Sequence, residues 1–255
     1  MKNITIELIN TTIGYKSGNK TTIIASGLNG SFEKGELISL VGRNGCGKST
    51  LLRTIAGFQT ILEGRVVQEG KDISDYSIQE RARLISIVTT NFKPIPNMTV
   101  FDLVAMGRSP YTGFWGKLSQ DDKKIIDESI GIVGMEKYRN RTVDTLSDGE
   151  RQKVLIAKAI AQETTVIILD EPTSFLDYPS KVKTMQILRT LAHDCDKTII
   201  ISTHDLEQAL QFSDKIWLLN DEKKLIVNTP SEMIEKGILK ECFGYENCIF
   251  VSKIE

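Results

Sequence analysis

An α/β fold is predicted for this 255-residue chain. It has a core on a parallel sheet, an antiparallel β layer ahead of that core, and a helical subdomain inserted within it. Three observations predict it. The runs Leu37 to Val41, Val166 to Leu169 and Thr198 to Ser202 read as strands, and Val166 to Leu169 is apolar throughout, which suits a parallel strand buried on both faces. Ile4, Ile6 and Leu8 alternate with polar residues, and Thr21 to Ala25 forms a second strand, so a half-buried β layer precedes the core. From about residue 91 to about 163 the pattern turns helical. At this length the chain is one domain, 1–255, with that single inserted subdomain.

Taken in order, the first strand leads to Ile13-Gly14-Tyr15. Tyr15 has two readings, an aromatic face stacked on adenine or a tyrosine packed on the sheet edge. Glu33-Lys34-Gly35 is a turn into Leu37 to Val41. Next comes Gly42-Arg43-Asn44-Gly45-Cys46-Gly47-Lys48-Ser49-Thr50, which fits the phosphate-binding pattern G-x-x-x-x-G-K-[ST] between a strand and a helix. Gly42, Gly45 and Gly47 let successive N–H groups turn inward on phosphate oxygens, and the helix N-terminus adds positive charge there. Lys48 is expected to reach the β- and γ-phosphates, and Ser49 to ligate Mg²⁺. Cys46 is read as a small side chain filling a tolerant position rather than as a reactive thiol. Gly57 ends the helix. Gly64 to Glu69, Ser77 to Arg83 and Leu84 to Val88 then read as strand, helix and strand.

Pro94 and Pro96 exclude regular structure over Asn91 to Asn97. Helices are predicted at Thr99 to Met106 and Gln120 to Val133, joined by a loop from Gly107 to Gly116 that carries Tyr111, Phe114 and Trp115. Those aromatics either cover a local core or anchor a partner. Leu146-Ser147-Asp148-Gly149-Glu150 opens a helix to about Ala161 with a capping box. The box is either a plain helix start or a second phosphate-facing N-terminus through Ser147 and Gly149. Asp170 and Glu171 end a buried strand, where ligands of open α/β sheets bind. Asp170 is placed for the Mg²⁺ shell beside Ser49, and Glu171 to orient or deprotonate a water attacking the γ-phosphate. Ser174 to Asp177 follow, with Pro179 in the first turn of a helix. Of the two histidines, His193 reads as a surface residue and His204, past a strand end, as a γ-phosphate contact. Lys215 to Leu219, Lys224 to Asn228, Pro230 to Lys236 and Cys248 to Ser252 complete the layer.

These motifs, in this order, resemble the ATPase subunit of ABC transporters over nearly the whole chain. The resemblance implies ATP and Mg²⁺ as ligands. It also implies a head-to-tail dimer of two copies, with each ATP between Lys48 of one copy and Ser147 and Gly149 of the other, and Asp177 facing across. Tyr15 matches the adenine-stacking aromatic, Glu171 the catalytic glutamate and His204 the switch histidine. Two departures stand out. The signature reads LSDGE where the family has LSGGQ, and Thr90, aligned by Arg81-Ala82-Arg83, stands where the family has a metal-sensing glutamine, with Asn91 the neighbouring alternative. Both, with Gly107 to Gly113 (GRSPYTG), look like the importer branch serving iron–siderophore, haem and cobalamin uptake. That branch implies integral membrane permease subunits and, indirectly, a substrate-binding protein.

Net charge is −1, without a basic footprint for nucleic acid. No apolar run approaches a membrane span, and Met1 to Thr5 lack a signal-peptide pattern, so the chain is expected to be made and kept in the cytosol. The resemblance implies a peripheral place on the cytoplasmic face of the membrane. The four cysteines lack metal spacing and read as reduced thiols. Other classes fit less well. Soluble ATPases of DNA repair or translation need a long coiled-coil insertion or tandem copies. A GTPase needs N-K-x-D, which Asn19-Lys20-Thr21-Thr22 is not. A small-molecule kinase leaves Ser147 to Glu150 unexplained, and a non-catalytic module leaves Glu171 and His204 without use.

Overall fold

The computed structural model describes residues 3–89, 92–93, 95–113, 115–174 and 176–243. The strand expected at Cys248 to Ser252 lies outside them. Strands β1 (Ile4–Ser17) and β2 (Lys20–Glu33) form a long antiparallel hairpin. Then come β3 (Leu37–Val41), α1 (Lys48–Ile55), β4 (Glu63–Gln68) and β5 (Lys71–Asp72). The first sheet has the order β2-β1-β4-β5 and is antiparallel throughout.

Helix α2 (Ile78–Leu84) and strand β6 (Ile85–Val88) lead to three helices, α3 (Val100–Ala105), α4 (Gln120–Ile132) and α5 (Asp148–Ala161). All four helices begin at a capping box, with Ser77, Thr99, Ser119 or Ser147 as cap and Glu80, Asp102, Asp122 or Glu150 reaching back. The rest alternates: β7 (Val166–Asp170), α6 (Tyr178–His193), β8 (Thr198–Ser202), α7 (Leu206–Phe212), β9 (Lys215–Leu219), β10 (Leu225–Asn228), α8 (Pro230–Glu235) and α9 (Ile238–Phe243). The second sheet has the order β10-β9-β3-β8-β7-β6. It is parallel except at its edge, where β10 runs antiparallel to β9.

The core explains the unbroken apolar strands. On β7 and β8, Ile167, Leu169, Ile199 and Ile201 pack into one cluster with Val104, Ile130, Val154 and Leu188 of the helices. Ile168 and Ile200 point the other way, toward Leu51 and Ile55 of α1 and Ile6, Leu8 and Phe32 of the first sheet. Successive side chains of a strand face opposite sides, so a sheet covered on both faces needs apolar residues at every position. Each fully buried Ile or Leu contributes about 1.5–3 kcal/mol. Helix α1 is thus clamped between the two sheets, and α3 to α6 cover the opposite face.

The hairpin departs from expectation. The second strand, read as Thr21 to Ala25, runs on to Glu33 through Gly27 and Gly30. Its glycines do not break it. The register shifts between Leu8 and Gly14 absorb the irregularity. Gly30 clears space for Trp217, whose ring would lie 2.7 Å from a Cβ there. Trp217 stacks on Phe32 with centroids 3.9 Å apart. His193 is exposed as expected, and its Nε2 lies 3.0 Å from Asp214 Oδ2.

Candidate active site

Strand β3 delivers the chain to Gly42, where the backbone leaves the sheet. Gly42, Gly45 and Gly47 have φ of 155°, 78° and 118°. A Cβ on Gly42 would lie 2.6 Å from Leu219 O, and one on Gly47 2.5 Å from Ile24 Cγ2, so both positions require glycine. Backbone curled this way is an anion cradle. Arg43, Asn44 and Gly45 are exposed at its tip, and Arg43 pairs with Asp221 at 2.9 Å. Cys46 is 3% exposed, packed beneath the loop. Lys48 is 7% exposed, and its ammonium donates to the Gly42 carbonyl at 2.8 Å and the Arg43 carbonyl at 3.3 Å.

Strand order sets the rest. Strands β3, β8 and β7 are adjacent, so their carboxyl ends line up beside the loop. Asp170 sits opposite Ser202 in register. Ser49 Oγ donates to Asp170 Oδ1 at 3.3 Å, and Ser202 Oγ donates to the same oxygen at 2.5 Å. The Glu171 N–H donates to Ser202 Oγ at 2.9 Å. Glu171 takes a left-handed φ of 48°, and its carbonyl accepts from Ser174 Oγ at 3.0 Å. Its Oε2 lies 3.5 Å from His204 Nδ1. Lys48, Ser49, Asp170, Glu171 and His204 are therefore one neighbourhood. Ser202 belongs to it too and was missed by sequence reasoning, because its partners depend on pairing between strands.

The Tyr15 hydroxyl is hydrogen-bonded to Thr50 Oγ1 at 2.9 Å. That bond holds the ring beside α1, with 43% of the residue open to solvent. A second group lies at the start of α5. Ser147 caps the helix, and its N–H and hydroxyl both donate to Glu150 Oε2 at 2.9 Å. Those bonds, from the Ser147 backbone first, hold the Glu150 carboxyl below the usual range. A Cβ on Gly149 would lie 3.1 Å from Leu176 Cδ2, next to Asp177. Asp177 caps α6 by accepting from the Ser180 N–H at 3.1 Å, and its hydrogen bonds with Ser180 lower its carboxyl pKa. Thr90 and Asn91 lie outside the described residues, as does Phe114.

A divalent cation has suitable donors here. Among the described residues no group of three or more His, Cys, Asp and Glu could hold a metal alone. Mg²⁺ does not need such a cage, since it takes one or two protein oxygens and fills its octahedron with phosphate and water. Ser49 Oγ and Asp170 Oδ1, hard oxygens 3.3 Å apart beside the anion cradle, fit that requirement.

A model of the ABC transporter family matches residues 25–174. An uncharacterized ABC transporter ATP-binding protein of Methanocaldococcus jannaschii is 40% identical over 93% of this chain and 81% of its own length. The iron(3+)-hydroxamate import ATP-binding protein of Bacillus subtilis is 36% identical over 91% of this chain and 84% of its own. Among solved structures, cbiO1 from Clostridium perfringens, part of the ABC transporter complex cbiONQ, superposes with a TM-score of 0.80 at 27% identity, covering 94% of each chain. A dimeric ATP-binding cassette in a post-hydrolysis state, bound to ADP and Pi, gives 0.76 at 28% identity over 88% of this chain and 98% of that one. The family model covers more than half of the chain and the relatives nearly all of it, so the chain belongs to the ABC transporter family as one of its ATP-binding, ATP-hydrolysing subunits.

Proposed function

We propose that this chain is the motor of an importer for metal-chelate cargo of the iron–siderophore, haem or cobalamin kind. The observation that carries the motor part of the reading is the hydrogen-bonded run from Ser49 through Asp170 and Ser202 to Glu171, with His204 beside it. The importer part rests on the relatives. Backbone N–H groups of residues 42–47 receive the phosphates, and Lys48 turns from its own loop carbonyls to phosphate oxygens. Ser49 and Asp170 hold Mg²⁺, with Thr90 in the place of the missing glutamine. Mg²⁺, when bound, offsets charge on the β- and γ-phosphates. Glu171 orients and deprotonates the attacking water, His204 contacts the γ-phosphate, and Tyr15 stacks on adenine. Ser147, Gly149 and Asp177 of a second copy close the site from the other side.

Work is passed on through the helical segment of about 91–163. Tyr111 is braced there. Its hydroxyl donates to Gln162 O at 3.0 Å, and its ring lies 4.2 Å from the Arg108 guanidinium. Trp115 is 90% exposed at the tip of the same loop, which suits docking on a permease subunit at the cytoplasmic face of the membrane. Among the described residues no helix is long and apolar enough to cross a membrane, so a separate subunit would supply the passage. The name of the Bacillus subtilis relative supports an iron–hydroxamate type of cargo, and in this proposal a substrate-binding protein would deliver it. The test is purification of the tagged chain from native membranes. A polytopic membrane protein should co-purify, and a chelate that saturates the assembled complex should raise its ATPase rate. Recovery as an active ATPase with no membrane partner would return the chain to the soluble-ATPase reading.

A further inference from the structure

We infer that Ser202 is a positioning residue for hydrolysis, whose hydroxyl locks the Asp170 carboxylate to the backbone of Glu171. The inference rests on the roles proposed above for those two acids. A serine hydroxyl has one proton to give and lone pairs to receive. Here the proton goes to Asp170 Oδ1 at 2.5 Å, and the oxygen accepts the Glu171 N–H at 2.9 Å. Ser202 is 0% exposed, so water cannot take over either bond. An O–H donated to a carboxylate at this distance is a strong, charge-assisted bond.

The geometry explains why the tie is needed. Glu171 has a φ of 48°, a region that residues other than glycine enter rarely and only when the surroundings hold them. The bond from its N–H to Ser202 is such a hold, and the Ser174 hydroxyl on its carbonyl is another. Asp170 Oδ1 also accepts from Ser49. One carboxylate oxygen thereby joins the helix after the phosphate loop to two neighbouring strands. Moving Asp170 would move the backbone that carries Glu171. Partners that orient a metal-side ligand in this way are worth about 10- to 100-fold in affinity or activity.

The test uses the purified full chain with Ser202→Thr, Ser202→Val and Ser202→Ala. Threonine and valine have nearly the same shape and differ in the hydroxyl, so crowding at this buried site affects both equally. Two readouts are taken: ATPase rate, and the Mg²⁺ concentration that gives half of the ATP-induced rise in Tm, which requires no turnover. Ser202→Val and Ser202→Ala should lose about 10- to 100-fold in rate and need about tenfold more Mg²⁺, whereas Ser202→Thr should stay close to the parent. If Ser202→Val does not fold, Ser202→Ala against the parent carries the comparison. Valine and threonine variants that match in both readouts, whether intact or impaired, would overturn the inference. Glu171→Gln is the control. An inactive Glu171→Gln beside an unaffected Ser202→Val sinks this inference alone, and an active Glu171→Gln sinks the proposed site roles themselves.

Discussion

Replacing Arg108 by methionine should cost this protein a measurable part of its stability. Arg108 is 5% exposed at the start of the loop between α3 and α4. Its Nε donates to Asp122 Oδ1 at 2.8 Å, and one terminal nitrogen donates to Ala161 O at 2.8 Å and Glu163 Oε2 at 2.6 Å. Methionine fills similar volume without the charge, leaving Asp122 buried and Ala161 O without its donor. Removing one partner of a buried pair costs about 3–5 kcal/mol. Two features favour the lower end. The Glu163 side chain is 50% exposed, and Asp122 keeps its bonds from the Ser119 N–H and hydroxyl. A loss of about 3 kcal/mol corresponds to about 6–12 °C in Tm for a domain of this size. The bonds from Ser119, with Arg108 adding to them, hold the Asp122 carboxyl below its usual range. The stability that Asp122 gives is therefore full above its unfolded pKa of about 4 and fades as pH falls through the lowered value. The deficit of Arg108→Met should accordingly shrink on acidification, because a protonated Asp122 no longer needs the cation. The assay is thermal unfolding of parent, Arg108→Met and Arg108→Met/Asp122→Asn from pH 7 downward. A Tm loss under about 2 °C at pH 7, or a double variant no more stable than the single one, would refute the buried-charge reasoning.

Three further outcomes are expected. Glu171→Gln should keep ATP affinity and lose about 10²–10⁴-fold in turnover, leaving an ATP-stabilised dimer visible by gel filtration; a variant with over half its rate would remove Glu171 as the base. Trp115→Ala should leave folding and ATP binding intact yet reduce recovery of the membrane partner, and an unchanged pull-down would assign that ring no docking role. Thr90→Ala should raise the Mg²⁺ needed for half-maximal ATPase activity in the complete complex while Asn91→Ala barely changes it, and the reverse ranking would give the role to Asn91.

The parts of the site that were legible in the sequence are those set by local spacing. The phosphate loop needs its glycines and lysine within nine residues, and the box of Ser147 and Glu150 lies within one helical turn. Strand ends were legible because Asp170-Glu171 and His204 each follow an apolar run. Ser202 was not, since its meaning comes from standing opposite Asp170 in a neighbouring strand. Tyr111 likewise read as one aromatic among three. Its brace depends on Arg83, Arg108 and Gln162, from three separate parts of the chain. Gly30 carried no reading in the sequence, because Trp217, for which it leaves room, lies far along the chain.

The departure LSDGE also becomes physical. Glutamine and glutamate both satisfy the third position of a capping box, so Glu150 keeps the helix start that the family's glutamine would make. Asp148 adds a charge at the same N-terminus, but Arg151 one turn later meets it at 2.8 Å and also donates to Leu146 O at 3.0 Å. The added acid is therefore balanced within its own helix. Ser147 is different, because its proton is already given to Glu150 at 2.9 Å. In the proposed dimer, a phosphate arriving from a second copy would have to replace that carboxylate as acceptor. The proton can follow only if the hydroxyl turns away from Glu150, while the bond from the Ser147 N–H to Glu150 keeps the helix start in place. Helix capping would then rest on the Ser147 N–H and on the hydroxyl oxygen as acceptor of the Glu150 N–H, and the proposed phosphate contact on the hydroxyl proton, so both readings of this motif can hold at once.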